Sequence, residues 1–408
     1  MSQVNFITMK IRSFFLMFFF YGPNCFSQLP VNRIDSLMRS RYIPNAPGAV
    51  IAIQQHNKIV FEKGYGLANL VSRKTITADN NFNIGSLTKQ FTAFALLELY
   101  DEGKLSLTDT IGKFFTLPAA ISSIRIIELL SHSSGIPDHY ELTDTNKVKH
   151  ATDKDVLDAI RTAGSLYFSP GTHYRYSNTA YCLLGMLIEK LSATTYPDFL
   201  QQQVFGPLGI KDASVFNIHR PVPNRVIGYD VGKYGKFVKA DAEESIFFST
   251  EADGGLYISM NNYLKWCTAV ESGKFSERRA MQIAWEGQTE VDTLHALWYG
   301  CGWFIHQPPG LPKSFYHTGS NGGFRTAVFM IPSLDYCVSI FSNRSDIDLE
   351  ELVSKVNAIL AVPDNSFIKS SPLESFIHHW PIFAPCKETS SYSTLFKKNS
   401  NANGMALN

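Results

Sequence analysis

The stretch Phe82-Asn83-Ile84-Gly85-Ser86-Leu87-Thr88-Lys89-Gln90-Phe91-Thr92-Ala93-Phe94-Ala95-Leu96-Leu97-Glu98-Leu99 decides how the chain is read. From Leu87 on it predicts a buried helix. Leu87, Phe91, Phe94 and Ala95 recur at the i, i+3, i+4 offsets of one helical face. Asn83, Gly85 and Ser86 supply the break and the start signal. Ser86 and Lys89 then lie one turn apart on the same side of the helix start. A hydroxyl sits at the positive end of the helix dipole with an amine in reach. If burial lowers the Lys pKa, a neutral amine can take the Ser proton and make a nucleophile.

Taken alone the pattern is weak. Ser-x-x-Lys is expected about twice by chance in a chain this long. It occurs a second time at Ser366-Phe367-Ile368-Lys369, in an irregular tail where it carries no meaning. Only the first copy stands at the mouth of an apolar helix.

The 408 residues are 45% hydrophobic and 18% charged, with net charge +1, which gives ample core for one large domain or two subdomains. So balanced a charge gives no support for nucleic-acid binding. Lys10 and Arg12, the apolar run Ser13 to Tyr21, and Cys25-Phe26-Ser27 before Gln28 read as an export signal over residues 1–27. The run is too short to span a bilayer comfortably. The mature chain is therefore expected outside the cytoplasm, periplasmic or secreted, with at most a loose association with membrane or cell wall. Once Cys25 is removed, Cys182, Cys267, Cys301, Cys337 and Cys386 remain, with spacings that match no metal site. Cys182 and Cys337 fall in apolar runs and read as core thiols.

Along the mature chain, Val31 to Met38 is a first helix. Ala49 to Ile53 and Lys58 to Phe61 are strands joined at His56-Asn57. Helices follow over 153–162, 179–191, 196–205 and 261–271, with residues 210–250 irregular. Strands return at Tyr299–Ile305, Phe315–Gly319, Thr326–Ile331 and Tyr336–Phe341, and a helix from Leu349 to Leu360 closes the chain. The fold class is α+β: an antiparallel sheet flanked by helices, with a mostly helical subdomain inserted. One domain covers 28–362, with sheet parts at about 28–105 and 290–362 and a helical part at about 106–289. Residues 363–408 form a polar tail, interrupted by Phe376-Ile377-His378-His379-Trp380.

Three stretches stand in a telling order: Ser86-Leu87-Thr88-Lys89, Tyr176-Ser177-Asn178 and His317-Thr318-Gly319-Ser320. This order and spacing resembles the serine β-lactamase and penicillin-binding protein superfamily, and most closely its class C β-lactamase-like branch with DD-peptidase and esterase relatives. Leu129 to Pro137, Pro170-Gly171, Gly206-Pro207-Leu208-Gly209 and Gly254-Gly255-Leu256 also look like that family. The resemblance covers roughly residues 31–361 and implies a serine hydrolase acting through a covalent acyl-enzyme on an amide or ester. A small-molecule or peptide substrate is expected, with no cofactor and no metal. The alternatives are a class C β-lactamase proper and a non-catalytic penicillin-binding sensor domain.

Acyl transfer needs a nucleophile, a proton acceptor and an oxyanion hole. Ser86 is the candidate nucleophile. Lys89 is one candidate base, and Tyr176 is the other if nearby cations favour its phenolate. Asn178 can hydrogen-bond Lys89 and the substrate amide. The oxyanion donors are the N–H of Ser86 and, by resemblance, that of Ser320. His317, Thr318, Gly319 and Ser320 are the remaining substrate-binding candidates. A rival Ser-His-Asp arrangement lacks any Gly-x-Ser-x-Gly turn. His132 reads as a structural residue holding its loop near the site. At position 317 many relatives carry Lys. A His there is expected to be only partly cationic near neutral pH, so that KM for an anionic substrate would rise through its titration.

Overall fold

The computed structural model describes residues 30–142, 150–241 and 246–363. The export signal, the tail, Cys25, Cys386 and the second Ser-x-x-Lys lie outside the described residues. Helix α1 (Val31–Arg41) leads into β1 (Ala49–Gln55) and β2 (Lys58–Tyr65). These two strands turn at His56 and Asn57, whose φ angles are +50° and +58°. Positive φ at both positions is what a tight two-residue hairpin turn requires, and Asn tolerates it best after Gly. Helix α2 (Thr88–Asp101) follows the Ser86 turn, and α3 (Asp153–Ile160) and α4 (Asn178–Ser192) lie in the inserted region. Next comes α5 (Met260–Glu271). Strands β3 (Thr289–Asp292), β4 (Leu297–Tyr299), β5 (Phe304–His306), β6 (Ser314–Asn321), β7 (Phe324–Ile331) and β8 (Tyr336–Ser342) precede α6 (Leu349–Ile359).

The eight strands form one antiparallel sheet in the order β3-β4-β5-β6-β7-β8-β1-β2. An early strand thus pairs with a late one, Ala49 with Ser342 and Gln55 with Tyr336, one strand in from the β2 edge. Strand β1 alternates between two cores. Ala49, Ile51 and Ile53 pack in the core with α1 and α6, and Val50 and Ala52 in the core that holds α2 and α5. Every residue of α2 from Thr88 to Leu99 is buried, so it is enclosed on all sides rather than amphipathic with one apolar face. Phe91 and Phe94 explain this, since both pack on Trp266 of α5, with ring centroids 4.5 and 5.4 Å away.

Two further expectations are corrected. Residues 299–305 are not one strand: β4 and β5 pair with each other across a reversal at Gly300–Gly302. The glycines break an apolar run whose periodicity cannot show where the chain turns back. Residues 210–250 are not wholly irregular, since Ser214–Val215 joins a small sheet and Tyr229–Val231 pairs with Phe237–Lys239. The four described cysteines are buried free thiols. Among the described residues, no helix is long and apolar enough to cross a membrane.

Candidate active site

Ser86 sits in a single 3₁₀ turn, Gly85–Leu87, that feeds α2. Asn83 Oδ1 accepts the Gly85 N–H at 2.9 Å, which fixes the entry to that turn. Gly85 has φ +51°, and a Cβ on it would lie 2.7 Å from the Ser320 nitrogen. On the other side, a Cβ on Gly319 would stand 2.1 Å from the Ile84 carbonyl oxygen. Only two glycines let the turn and β6 approach this closely. Thr326 Oγ1, on the neighbouring strand β7, donates to Ile84 O at 2.7 Å and pins the contact. The backbone at Ser86 and at Ser320 is thereby brought to one place. On its other side β6 pairs with β5 only as far as Tyr316, so residues 317–321 extend past that partner.

Lys89 projects from the first turn of α2 and is fully buried. Its Nζ donates to Ser86 Oγ at 3.1 Å, to Asn178 Oδ1 at 2.8 Å and to Asp253 O at 2.7 Å. It lies 4.8 Å from the Tyr176 ring centroid. Burial lowers its pKa from 10.5 to about 8, against a smaller opposing pull from Asp253, Cys182 and Asp138. Ser86 and Lys89 are therefore brought together with Tyr176 and Asn178 from a second, distant part of the chain. Ser177 caps α4 by accepting the Ala180 N–H at 3.3 Å, which leaves the Asn178 side chain free to meet Lys89.

Tyr176 is 8% exposed, and burial raises its phenol well above its usual 10. The Ser86 hydroxyl opposes that rise, yet Tyr176 Oη completes no hydrogen bond of normal geometry. Burial thus outweighs the nearby Lys89 cation, and the phenolate alternative for the base is corrected: at neutral pH this group is a phenol. His132 holds the loop as expected. It accepts the Ser177 N–H at Nδ1 and lies 4.2 Å, centroid to centroid, from the Tyr176 ring. Its own backbone is in the left-handed region at φ +57°.

His317 departs from expectation. It is fully buried. The Thr318 carbonyl can only accept, so His317 Nδ1 donates to it at 2.7 Å, and Nε2 lies 3.1 Å from Tyr299 Oη. Burial, aided by the Lys89 charge, lowers its pKa to about 3. The ring is neutral throughout the working range and out of a substrate's reach. Held neutral there, it presents no cation of the kind the sequence reading expected for a substrate carboxylate. Its place is structural, tying the head of β6 to β4. Thr318 and Ser320 are partly exposed at the surface of β6, as a substrate contact requires. Arg325, from the adjacent β7, donates to Ser320 Oγ at 2.5 Å.

With this geometry in hand, a family profile described as Beta-lactamase matches residues 34–359. The chain belongs to the Beta-lactamase family. Penicillin-binding protein 4* of Bacillus subtilis is 26% identical to this family member over 327 residues, covering 76% of this chain and 70% of that protein. The octameric penicillin-binding protein homologue from Pyrococcus abyssi superposes with TM-score 0.71 at 25% identity, covering 82% of this chain and 77% of that one. The D-amino acid amidase of Ochrobactrum anthropi SV3, solved with L-phenylalanine amide, gives TM-score 0.69 at 22% identity over 81% of this chain and 98% of that one. The α+β architecture is that of this family, and the protein is of the serine hydrolase type.

Several functional neighbours escaped the sequence reading. Asp138 Oδ2 accepts the Asn178 N–H at 2.7 Å and steadies the start of α4. Asp253 supplies the third acceptor to Lys89. Asn321 Nδ2 reaches the Gly254 carbonyl at 3.3 Å, tying the end of β6 to the same loop. The only signal was the Gly254-Gly255 pair, which marks the loop but not its partners. Asp153, Cys182 and Asp253 also come together, with ligand-type atoms within 4.8 Å of one another. No spacing in the sequence shows this.

Proposed function

We propose that the protein hydrolyses an amide or ester through an acyl-enzyme on Ser86. The observation that carries this is the 3.1 Å contact between Ser86 Oγ and a Lys89 amine whose pKa burial has lowered to about 8. In the neutral amine the hydrogen bond reverses, and Ser86 O–H donates to Lys89 Nζ. The Ser oxygen attacks the substrate carbonyl as its proton passes to Lys89, and the Oγ–C bond forms. The N–H groups of Ser86 and Ser320 receive the oxyanion. Tyr176, a phenol beside both groups, relays the proton onto the leaving amine or alcohol as its bond to carbon breaks. Water then attacks the acyl-enzyme, returning the proton to Ser86 and releasing the acid. Asn178 orients Lys89 and offers its amide N–H₂ to the substrate.

Neutral His317 favours a substrate that needs no Lys-like cation at that position, an amide, peptide or ester rather than an efficiently hydrolysed β-lactam. The test is a panel of chromogenic esters, D-amino acid amides, D-Ala-D-Ala peptides and a cephalosporin, with the mass of any Ser86 adduct recorded. Hydrolysis of none, without an adduct, would refute the reading. If the substrate carries a carboxylate, Arg325 beside Ser320 is the group placed to read it. Arg325→Ala should then raise KM about tenfold for a carboxylate-bearing ester and leave a matched neutral ester unchanged. Equal shifts for both esters would remove Arg325 from recognition. Residues 1–27 serve, in this reading, as a cleaved signal that delivers the domain outside the cytoplasm. The mature N-terminus, read by sequencing, checks that.

A further inference from the structure

Five exposed large apolar side chains gather on three loops. Val71 is 93% exposed, Tyr234 85% and Ile43 58%, and Val231 and Val238 also stand in solvent. The loops are tied to one another. Val71 lies between the short strands Leu67–Asn69 and Lys74–Thr75, and the neighbouring Leu70 N–H donates to Tyr229 Oη at 2.9 Å. Tyr229 opens the hairpin of Tyr229–Val231 and Phe237–Lys239, which carries Tyr234 at its tip. Arg73 donates to Asn45 Oδ1 at 2.7 Å, two residues past Ile43. Arg344 joins the first loop to the hairpin, its guanidinium 6.0 Å from the Tyr42 ring and 4.9 Å from the Phe237 ring.

The same loops concentrate positive charge. Residues 42–47, 67–75 and 229–239 carry Arg73, Lys74, Lys233, Lys236 and Lys239 against a single acid, Asp230, while the whole chain has net charge +1. Lys74, Lys233 and Lys236 are exposed. The hairpin is a braced spur. The Gly232 N–H donates to Lys236 O at 2.8 Å near the tip, and at the base Tyr229 N–H donates to Asn343 O at 3.0 Å. Ala240 O accepts the Gly323 N–H at 2.6 Å, which fastens the base to the turn between β6 and β7, just after Ser320. Tyr234 holds φ +64°, a backbone region that disfavours a bulky side chain. Its ring meets Lys233 Nζ at 5.4 Å and is otherwise left to solvent. Strain of this kind is kept at functional sites, and here it serves little packing within the chain.

We propose that this face docks the protein on the surface of an anionic lipid bilayer, with Tyr234 and the valines at headgroup level and the lysines on the lipid phosphates. Tyrosine is favoured where one end of the ring is apolar and the other wet, and each lysine gains beside an anionic leaflet. A soluble polyanion would use the lysines and leave Tyr234 and the valines in water. A second copy of the chain would set two positive faces against each other. Few side chains enter the interface, so the attachment is peripheral and sensitive to salt. The inference is independent of the acyl-enzyme chemistry.

The experiment is co-sedimentation of the full chain with vesicles of phosphatidylcholine alone or with about one-third phosphatidylglycerol. Tyr234→Ser, and Lys233→Glu combined with Lys236→Glu, are compared in the same chain, so that any contribution of residues 1–27 or 363–408 is common to all. The wild type should bind the anionic vesicles at least about tenfold better than the neutral ones and be released by about 0.5 M salt. The double variant should bind on the order of 30-fold more weakly or worse, and Tyr234→Ser several-fold more weakly. Both should melt with the wild type and hydrolyse a soluble ester as it does, because these exposed residues belong to neither the core nor the Ser86 site. No binding to anionic vesicles, equal binding to neutral ones, or binding that both variants retain overturns the proposal. Lysine-dependent binding that Tyr234→Ser leaves untouched would make the face a polyanion site. A dimer lost in Tyr234→Ser, without vesicle binding, would make it an interface between copies. Either result overturns the proposal as well. A wild type that binds vesicles as described but turns over no ester or amide overturns the acyl-enzyme reading alone.

Discussion

Ser86→Ala should reduce kcat on the best substrate by on the order of 10³-fold or more, while the protein melts within a few degrees of wild type. The large effect follows because no other hydroxyl stands at 3.1 Å from Lys89 Nζ among its hydrogen-bond partners. The small effect follows because Ser86 is partly exposed and caps nothing. Its loss removes one hydrogen bond from Lys89, whose bonds to Asn178 and Asp253 persist, so the stability change should stay near about 1 kcal/mol. Gly85 and Asn83, not Ser86, shape the turn, so the backbone at the oxyanion position should hold. Steady-state rates and thermal melts of the same preparation decide the matter. A variant that melts normally and hydrolyses at the wild-type rate would show that Ser86 is not the nucleophile.

The fold was legible where its signals are local. Two hydrophobic segments broken by His56-Asn57 announced the first hairpin, and the late strands announced the sheet. That the two would pair followed from strands at both ends of a helical middle. The Ser86–Lys89 contact was legible for the same reason, since the two are one turn apart and need no tertiary information. Tyr176 and Asn178 were legible only as part of an ordered set of motifs. What failed was everything set by enclosure. The Tyr299–Ile305 run reads identically whether or not it doubles back at its glycines. His317 reads as a half-charged strand residue until Tyr299, Phe304 and the Lys89 charge surround it. Tyr176 reads as a possible phenolate until its burial is seen. Asp253 is one acid among many until folding sets it against Asp153 and Cys182. For His317 and Tyr176 the sequence names the group, and its environment, assembled from distant segments, chooses its protonation state.

Lys89 carries the second large effect, and its burial makes two separate measurements agree or disagree. Lys89→Met removes the base and should lower kcat by on the order of 10³-fold. Tyr176→Phe should fall nearly as far, and the double variant should be little worse than either, because one proton route is being broken twice. Multiplying losses would show two independent functions. Stability supplies the other measurement. The folded Lys89 has a pKa of about 8 against 10.5 for a free side chain. Below the lower value the amine is charged in both states, and the wild type bears the whole penalty of burying that charge. Between the two values the unfolded chain binds more protons than the folded one, so wild-type stability gains on the variant as pH rises. The full gain, for a shift of about 2.5 units at 1.36 kcal/mol each, is about 3 kcal/mol. Met has similar length and no charge, so its own stability lacks this term, and the tyrosines and thiols that titrate at high pH are common to both proteins. Urea unfolding of the two at about pH 7, about pH 9 and about pH 10 reads the difference. The gap should be flat below about pH 8 and move in favour of the wild type above it. A gap that stays constant across the series would mean that Lys89 is not depressed in the folded protein. The amine would then stay mostly an ammonium up to about pH 10, with too little neutral form to accept the Ser86 proton, and the base would have to be sought elsewhere.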